Sequence, residues 1–475
     1  MAAPPSTAPD LHKGLKQRHL AMIAIGGVIG AGLFVGSGTV LGSAGPAAFL
    51  TYGLCGLLII CVMRMLGEMA TALPATGSFS DYARLALGDW AGFSVAWLYW
   101  YFWVVVVGFE AVAGAKVIQY WMPSVDLWII GLVLMLFMTA TNMFSVKSYG
   151  EFEYWFAGIK VAAIALFLVV GTLYVLGVIG GTGMHFENLT AHGGLFPNGV
   201  AAIVVSVVTV IFSMVGAEIA TIAAAESDDP AKAIVRATNS VIFRVATFFI
   251  GATFLLACIV PWNDKAAMVS PFVSAFKVMG IPYADQIMNA VVLVAVLSCL
   301  NSGLYTASRM LFVLAARGEA PVSLTRVSAS GAPRRAILFS TIVGFACVIA
   351  ARVSEDGIFA FLLNSSGAII IFVYILIAVS QFVLRRRADD ATLEVKMWAF
   401  PVLTILSIVA MVAILVQMSF SPDTASQLWL SLGAWAVFLV AFVIMRRSRG
   451  LPLTGRTDAG TGPVEEPMST GPSGH

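Results

Sequence analysis

Ile25-Gly26-Gly27-Val28-Ile29-Gly30-Ala31-Gly32-Leu33-Phe34 packs four glycines into seven residues, from Gly26 to Gly32, in the middle of an apolar run. Each glycine costs a helix interior about 1 kcal/mol relative to alanine, so four together make unwinding cheap. The apolar run around them extends over 20–43, and about 20 apolar residues suffice for a helix to cross a bilayer. Unwound backbone at that depth is tolerated only where it lines a cavity or is buried in protein. A competing reading is close helix packing, because Gly26–Gly30 and Gly32–Gly36 both fit a small-xxx-small pattern.

Working outward, the 475-residue chain is 59% hydrophobic and 11% charged, with a net charge of +2, and its mean hydropathy is +0.92. Soluble domains carry about 25% charged residues. This excludes a soluble enzyme, a nucleic-acid binder and a disordered scaffold. Apolar segments of spanning length recur at 20–43, 47–69, 91–120, 126–144, 155–179, 199–225, 238–260, 284–314, 336–352, 358–384, 398–419 and 425–445. The expectation is an all-α polytopic membrane protein with twelve transmembrane helices. Cys55, Cys61, Cys258, Cys299 and Cys347 lie inside these runs without metal or disulfide spacing, and read as small core residues. MAAPPSTAPD lacks the basic start and short apolar stretch of a cleaved signal.

An even number of spans puts both termini on one side. With that side cytoplasmic, the inner segments collect most of the Lys and Arg, among them Lys13, Lys16, Arg18, Arg84, Arg317, Arg334, Arg335, Arg385, Arg386, Arg387, Arg446 and Arg447. The outer ones hold little beyond Lys265, Lys277 and Arg352, and 181–198 has neither residue. The positive-inside rule therefore sets both termini in the cytoplasm. Residues 1–18 and 450–475, rich in Pro, Gly, Ser and Thr, read as disordered cytoplasmic tails.

The sixth span is interrupted too: Ile211-Phe212-Ser213-Met214-Val215-Gly216-Ala217-Glu218 brings a hydroxyl, a glycine and an acid to similar depth. Interruptions at matching positions in two halves point to a transporter binding site. The N–H groups at Gly30, Ala31 and Gly32, beside Ile29, open the second half of the first span and suit a carboxylate. Carbonyls at Phe212, Ser213 and Val215, next to Gly216, suit an ammonium. The ligand so matched is a zwitterion, an amino acid.

Ionisable residues inside spans carry a default suspicion of function. Glu110 sits past the middle of the third span and is expected to face the pore. Glu218 follows the sixth-span break and is either a transport acid or a structural one satisfied by local N–H groups. Lys160 lies a turn into the fifth span, where snorkelling to the headgroups competes with a buried role. Lys116 is six residues from Glu110, about 600° around the helix, and is expected to snorkel outward. Glu226-Ser227-Asp228-Asp229-Pro230 ends the sixth span as a cytoplasmic gate or a capped turn. His185, Glu187 and His192 share a loop but fit no strong metal motif.

The chain resembles the amino-acid permeases of the amino acid–polyamine–organocation superfamily. The stretches that carry the likeness are Gly27 to Gly36, Met63-Arg64-Met65-Leu66-Gly67-Glu68-Met69-Ala70, Gly216-Ala217-Glu218 with Ala223 to Asp228, and Cys299-Leu300-Asn301-Ser302-Gly303-Leu304-Tyr305-Thr306-Ala307-Ser308-Arg309-Met310. Ser145 to Glu153 and Ile234 to Ile242 are most similar to bacterial GABA permeases. The resemblance covers nearly all of 12–445. It implies a LeuT-like fold with inverted five-helix halves at 19–180 and 199–384, then two extra helices within 397–445. It implies proton-coupled amino-acid import in a bacterial inner membrane, with no cofactor, metal or obligate protein partner. It also implies that Lys160 replaces a sodium ion beside the first-span break and the eighth span, that Glu218 works in transport, and that Phe212 acts as a gate; Glu226, on the residues around it, is the candidate cytoplasmic gate. Two departures stand out: Gly32 replaces a serine of the GABA permeases, and the surroundings of Glu110 are similar to those in aromatic amino-acid permeases. GABA, proline-like and larger neutral amino acids are thus the candidate substrates, and an exchanger is the rival mechanism.

Overall fold

The computed structural model describes residues 29–73, 79–143, 146–180, 183–216, 218, 236, 239–328, 331–388 and 393–453. Every regular element among them is helical. Among the described residues, eight helices are long and apolar enough to cross a membrane, and two further apolar ones, Leu127–Asn142 and Val200–Met214, are shorter. The chain is a multi-pass helical membrane protein. The glycine-rich start of the first span before Ile29, the gating segment with Glu226, and most of both expected tails lie outside the described residues.

The molecule is organised around the Asp89–Gln119 helix. It meets Ala284–Ala316, Glu355–Arg385, Arg334–Ala350 and Leu127–Asn142, and is buried on every side from Asp89 to Val117. Its sequence dictates this. Aromatic and branched residues fill all faces between Trp97 and Val107, and a helix that is apolar all round has no face for water. At 31 residues it is about 46 Å long, enough to link both ends of the bundle. Val402–Phe420 and Pro422–Ser448 are peripheral instead. Val402, Leu406, Val409 and Val416 project from one and Val437, Val440 and Ile444 from the other as exposed apolar faces, suited to lipid contact.

Several elements were not anticipated. Phe79–Leu87 is a short buried helix ahead of the central one. The seventh span contains a π-helical turn, Val245–Gly251. Lys265–Val269 and Pro271–Val278 fold between the seventh and eighth spans. The first of these is started by Asp264, whose side chain accepts Ala266 N–H (3.0 Å) and Ala267 N–H (3.1 Å).

At the end of the molecule that carries Asp89, charged side chains knit the helices together. Arg84 donates to Asp89 (3.0 Å) and Glu319 (2.5 Å), and Arg446 of the last helix reaches the other Asp89 oxygen at 2.8 Å. Arg317 pairs with Asp81 at 2.6 Å. Nearby, Glu68 accepts from Gln381 (2.7 Å), Arg385 (3.3 Å) and the Met397 N–H (2.5 Å).

Candidate functional site

The first span is described from Ile29 onward. Gly30 is extended (φ −133°, ψ −154°), and helix begins at Ala31, continuing through Val35 into Gly36–Ala44. Because glycine offers no capping side chain, the first N–H groups need partners from elsewhere. One comes from 79 residues away: Ala31 N–H donates to both Glu110 oxygens, at 3.2 and 3.3 Å. Glu110 is 1% exposed, so a buried carboxyl group of the protein satisfies the first N–H of this helix. The position expected to hold a ligand carboxylate thus already holds one from the protein.

The second break follows Val207–Met214. Val215 is extended (φ −66°, ψ 151°), and Gly216 has φ +102°, a conformation that glycine adopts at no steric cost. The Phe212 carbonyl, expected to be free for an ammonium, accepts Val215 N–H at 3.3 Å. Ser213 Oγ turns inward to donate to the Val210 carbonyl (2.7 Å). Glu218 then secures the break from below, accepting from Gly216 N–H (3.0 Å), the Tyr99 hydroxyl (2.9 Å) and the Tyr374 hydroxyl (3.2 Å). Of the two readings of Glu218, its contacts match the satisfied acid, with partners on three different segments.

The two breaks touch. A Cβ added to Gly32 would lie 2.8 Å from the Ser213 Cα, and one on Gly30 would lie 2.6 Å from Glu110 Oε1 and 2.9 Å from Cys299 Cβ. Gly30 and Gly32 are therefore both required by close approach. Between the breaks lies a cavity of about 10 Å³ lined by Gly30, Gly32, Glu110, Phe212, Ser213, Val215 and Cys299, with Phe102, Trp103 and Val106 behind. That is room for about one water. The Phe212 ring closes one wall, edge-on to Phe109 at 4.7 Å. The sequence reading missed Cys299 here, as well as the aromatic wall of Phe102 and Trp103.

Lys160 does not snorkel. It is fully buried, donates to Ser298 Oγ at 2.8 Å and lies 3.8 Å from Glu153 Oε1. Ser298 in turn donates to Glu153 at 2.6 Å. Glu153 and Lys160 are seven residues apart, two turns of one helix, and Ser298 joins them to the Ala284–Ala316 helix next to Cys299. Among the described residues, Lys160 is thus tied to the eighth span through Ser298 and to its own helix through Glu153. The part of the first-span break before Ile29, which it is expected to adjoin, lies outside the described residues. His185 and Glu187 approach to 4.0 Å, while the His192 carbonyl accepts from Trp262. Among the described residues no group of three or more His, Cys, Asp or Glu could hold a metal ion.

Among the described residues, membrane-length helices surround the helix start at Gly30 and the helix end at Val215, which meet at a small buried cavity with a carboxyl group at its edge. Sequence comparisons identify the family. The family model for amino acid permeases matches residues 19–451. The gamma-aminobutyric acid permease of Bacillus subtilis is 47% identical over 443 residues, covering 92% of this chain and 94% of that protein. A probable GABA permease of Pseudomonas aeruginosa is 46% identical, covering 95% and 96%. The gamma-aminobutyric acid permease of Escherichia coli is 44% identical, covering 94% and 97%. The chain belongs to the amino acid permease family.

Proposed function

We propose that this protein imports GABA together with protons by alternating access. It would cross a bacterial inner membrane twelve times, with both termini in the cytoplasm and inverted halves at 19–180 and 199–384. The observation that carries the reading is the Glu110 carboxylate on Ala31 N–H, directly across a contracted cavity from Ser213. A GABA carboxylate needs that same N–H. Two carboxylates cannot share it without strong like-charge repulsion, so the arriving substrate displaces Glu110, which swings to the substrate ammonium. The backbone of Ile29 to Gly32 then holds one end of the zwitterion. Glu110 holds the other, with the carbonyls of Ser213 and Val215, while Phe212 closes over the chain and Gly216 gives the bend.

Proton coupling is assigned to the Lys160–Ser298–Glu153 group, with Glu218 holding the sixth-span break. A proton lost from Lys160 dissolves its tie to the eighth span and frees the bundle to open at the Asp89 end, where Arg84, Glu319 and Arg446 close it. The gating role of Glu226 is carried forward on the sequence alone. GABA is favoured over proline and aromatic substrates by the named activity of three relatives covered over nearly their whole length. Competition decides this point. In proteoliposomes, unlabelled GABA should block labelled GABA uptake while excess phenylalanine or proline leaves most of it. Block by either of those at equal concentration would transfer the assignment to that amino acid.

A further inference from the structure

Opposite the ion-paired end, the bundle carries a second, much larger cavity of about 1050 Å³. Under the orientation proposed above it opens outward. Its lining includes Lys116, Lys265 and Lys277, and no aspartate or glutamate. Asp285 flanks it, 3.9 Å from Lys277 and taking a hydrogen bond from the Tyr120 hydroxyl. Asp264 is turned to the N–H groups of Ala266 and Ala267. Lys116, expected to snorkel to the headgroups, instead lines this cavity.

The two cavities lie on the same helices. Val35 lines the large one and Gly32 the small one, three residues apart. Ala113 and Glu110 repeat the relation on the Asp89–Gln119 helix. Three residues are about 4.5 Å of helix, so the floor of the vestibule is one turn from the contracted site on two sides.

We propose that this vestibule is an outer binding site for the carboxylate end of the amino acid, occupied before the substrate reaches the helix breaks. The proposal rests on the transport reading and adds a stage to it. Concave surfaces lined by one sign of charge focus the field and raise the local concentration of the opposite charge. A zwitterion with several carbons between its charges enters carboxylate first, its ammonium trailing toward the mouth. The next favourable place for that carboxylate is the Gly30–Gly32 backbone one turn deeper, so the leading end does not need to turn round.

The test is initial uptake of labelled GABA, far below saturation, into proteoliposomes at ionic strengths from about 10 to 300 mM. The Debye length falls from about 30 Å to below 8 Å over that range, and the wild-type rate should fall roughly threefold to fivefold as the lysine field is screened. The triple variant Lys116→Gln, Lys265→Gln, Lys277→Gln should start near the high-salt rate and show no salt dependence. The matching triple Arg variant should follow the wild type. A flat wild-type profile overturns the proposal without involving any variant. So does a Gln variant that keeps the wild-type slope, or an Arg variant that falls with the Gln variant, since shape and not charge would then matter. If the Gln variant does not fold, Lys265→Gln alone, at an exposed position, should flatten part of the slope. Wild-type protein that takes up no GABA at any salt would instead sink the transport reading itself.

Discussion

Replacing Glu110 with glutamine separates its two proposed duties. The glutamine carbonyl can still accept from Ala31 N–H, so the resting helix break keeps a neutral hydrogen bond of about 1 kcal/mol. The negative charge that would hold the substrate ammonium is gone. Truncating one member of a buried, hydrogen-bonded charge pair costs about 2–5 kcal/mol. Because Glu110 is 1% exposed, little solvent screening softens that loss. Taking about 2–4 kcal/mol gives a fall in GABA affinity of roughly 30-fold to 1000-fold. Competition by butyrate, which keeps the carboxylate and lacks the ammonium, should move the other way. With no like charge on Ala31 N–H, butyrate should inhibit the variant better than the wild type. The assay is a concentration series of labelled GABA into proteoliposomes, with butyrate as competitor and thermal unfolding as a folding control. Wild-type GABA affinity in Glu110→Gln would refute the reasoning. Loss of GABA and butyrate alike would reduce Glu110 to a helix cap.

Other substitutions probe the rest of the account. Gly32→Ala pushes a methyl against the Ser213 backbone at 2.8 Å, and overpacking of this kind costs about 1–3 kcal/mol; uptake should fall at least tenfold, and a fully active variant would show that the breaks are not held this close. Lys160→Ala leaves Glu153 buried beside Ser298 without its cation, a loss of about 3–5 kcal/mol. Combining Lys160→Met with Glu153→Gln should recover the melting temperature without recovering accumulation against a gradient, and accumulation by the double variant would remove Lys160 from coupling. Asp89→Asn removes the negative charge and one of the two acceptor oxygens that Arg84 and Arg446 use, and should make cysteines introduced at the Asp89 end more reactive to membrane-impermeant thiol reagents applied from that side. Unchanged labelling would mean these pairs do not hold the end shut.

The long helices, and the helix start at Ala31 and helix end at Met214, could be read from the chain because each has a local cause. Apolar length marks a span, Gly30 stands where the first described helix begins, and Gly216 stands just past the end of Val207–Met214. Glu110 was legible as a costly charge, yet its partner was not, since nothing in the sequence links residue 110 to Ala31. Lys160 shows the same limit. Seven-residue spacing from Glu153 was visible, but burial depends on which face of that helix meets Ser298, a tertiary fact. Cys299 read as core and is core, but its place beside Glu110 comes from packing of the eighth span on the third. The short helices around Lys265 and Pro271 had readable starts, Asp264 as a cap and proline at a first-turn position. They were overlooked because spanning length dominates the reading of an apolar chain.

Accumulation of labelled GABA by proteoliposomes under an imposed acid-outside pH gradient tests the central claim most directly. The account predicts uptake above the equilibrium level that collapses when a protonophore removes the gradient. Uptake indifferent to the gradient, appearing only when amino acid is preloaded inside, would contradict it and make the protein an exchanger.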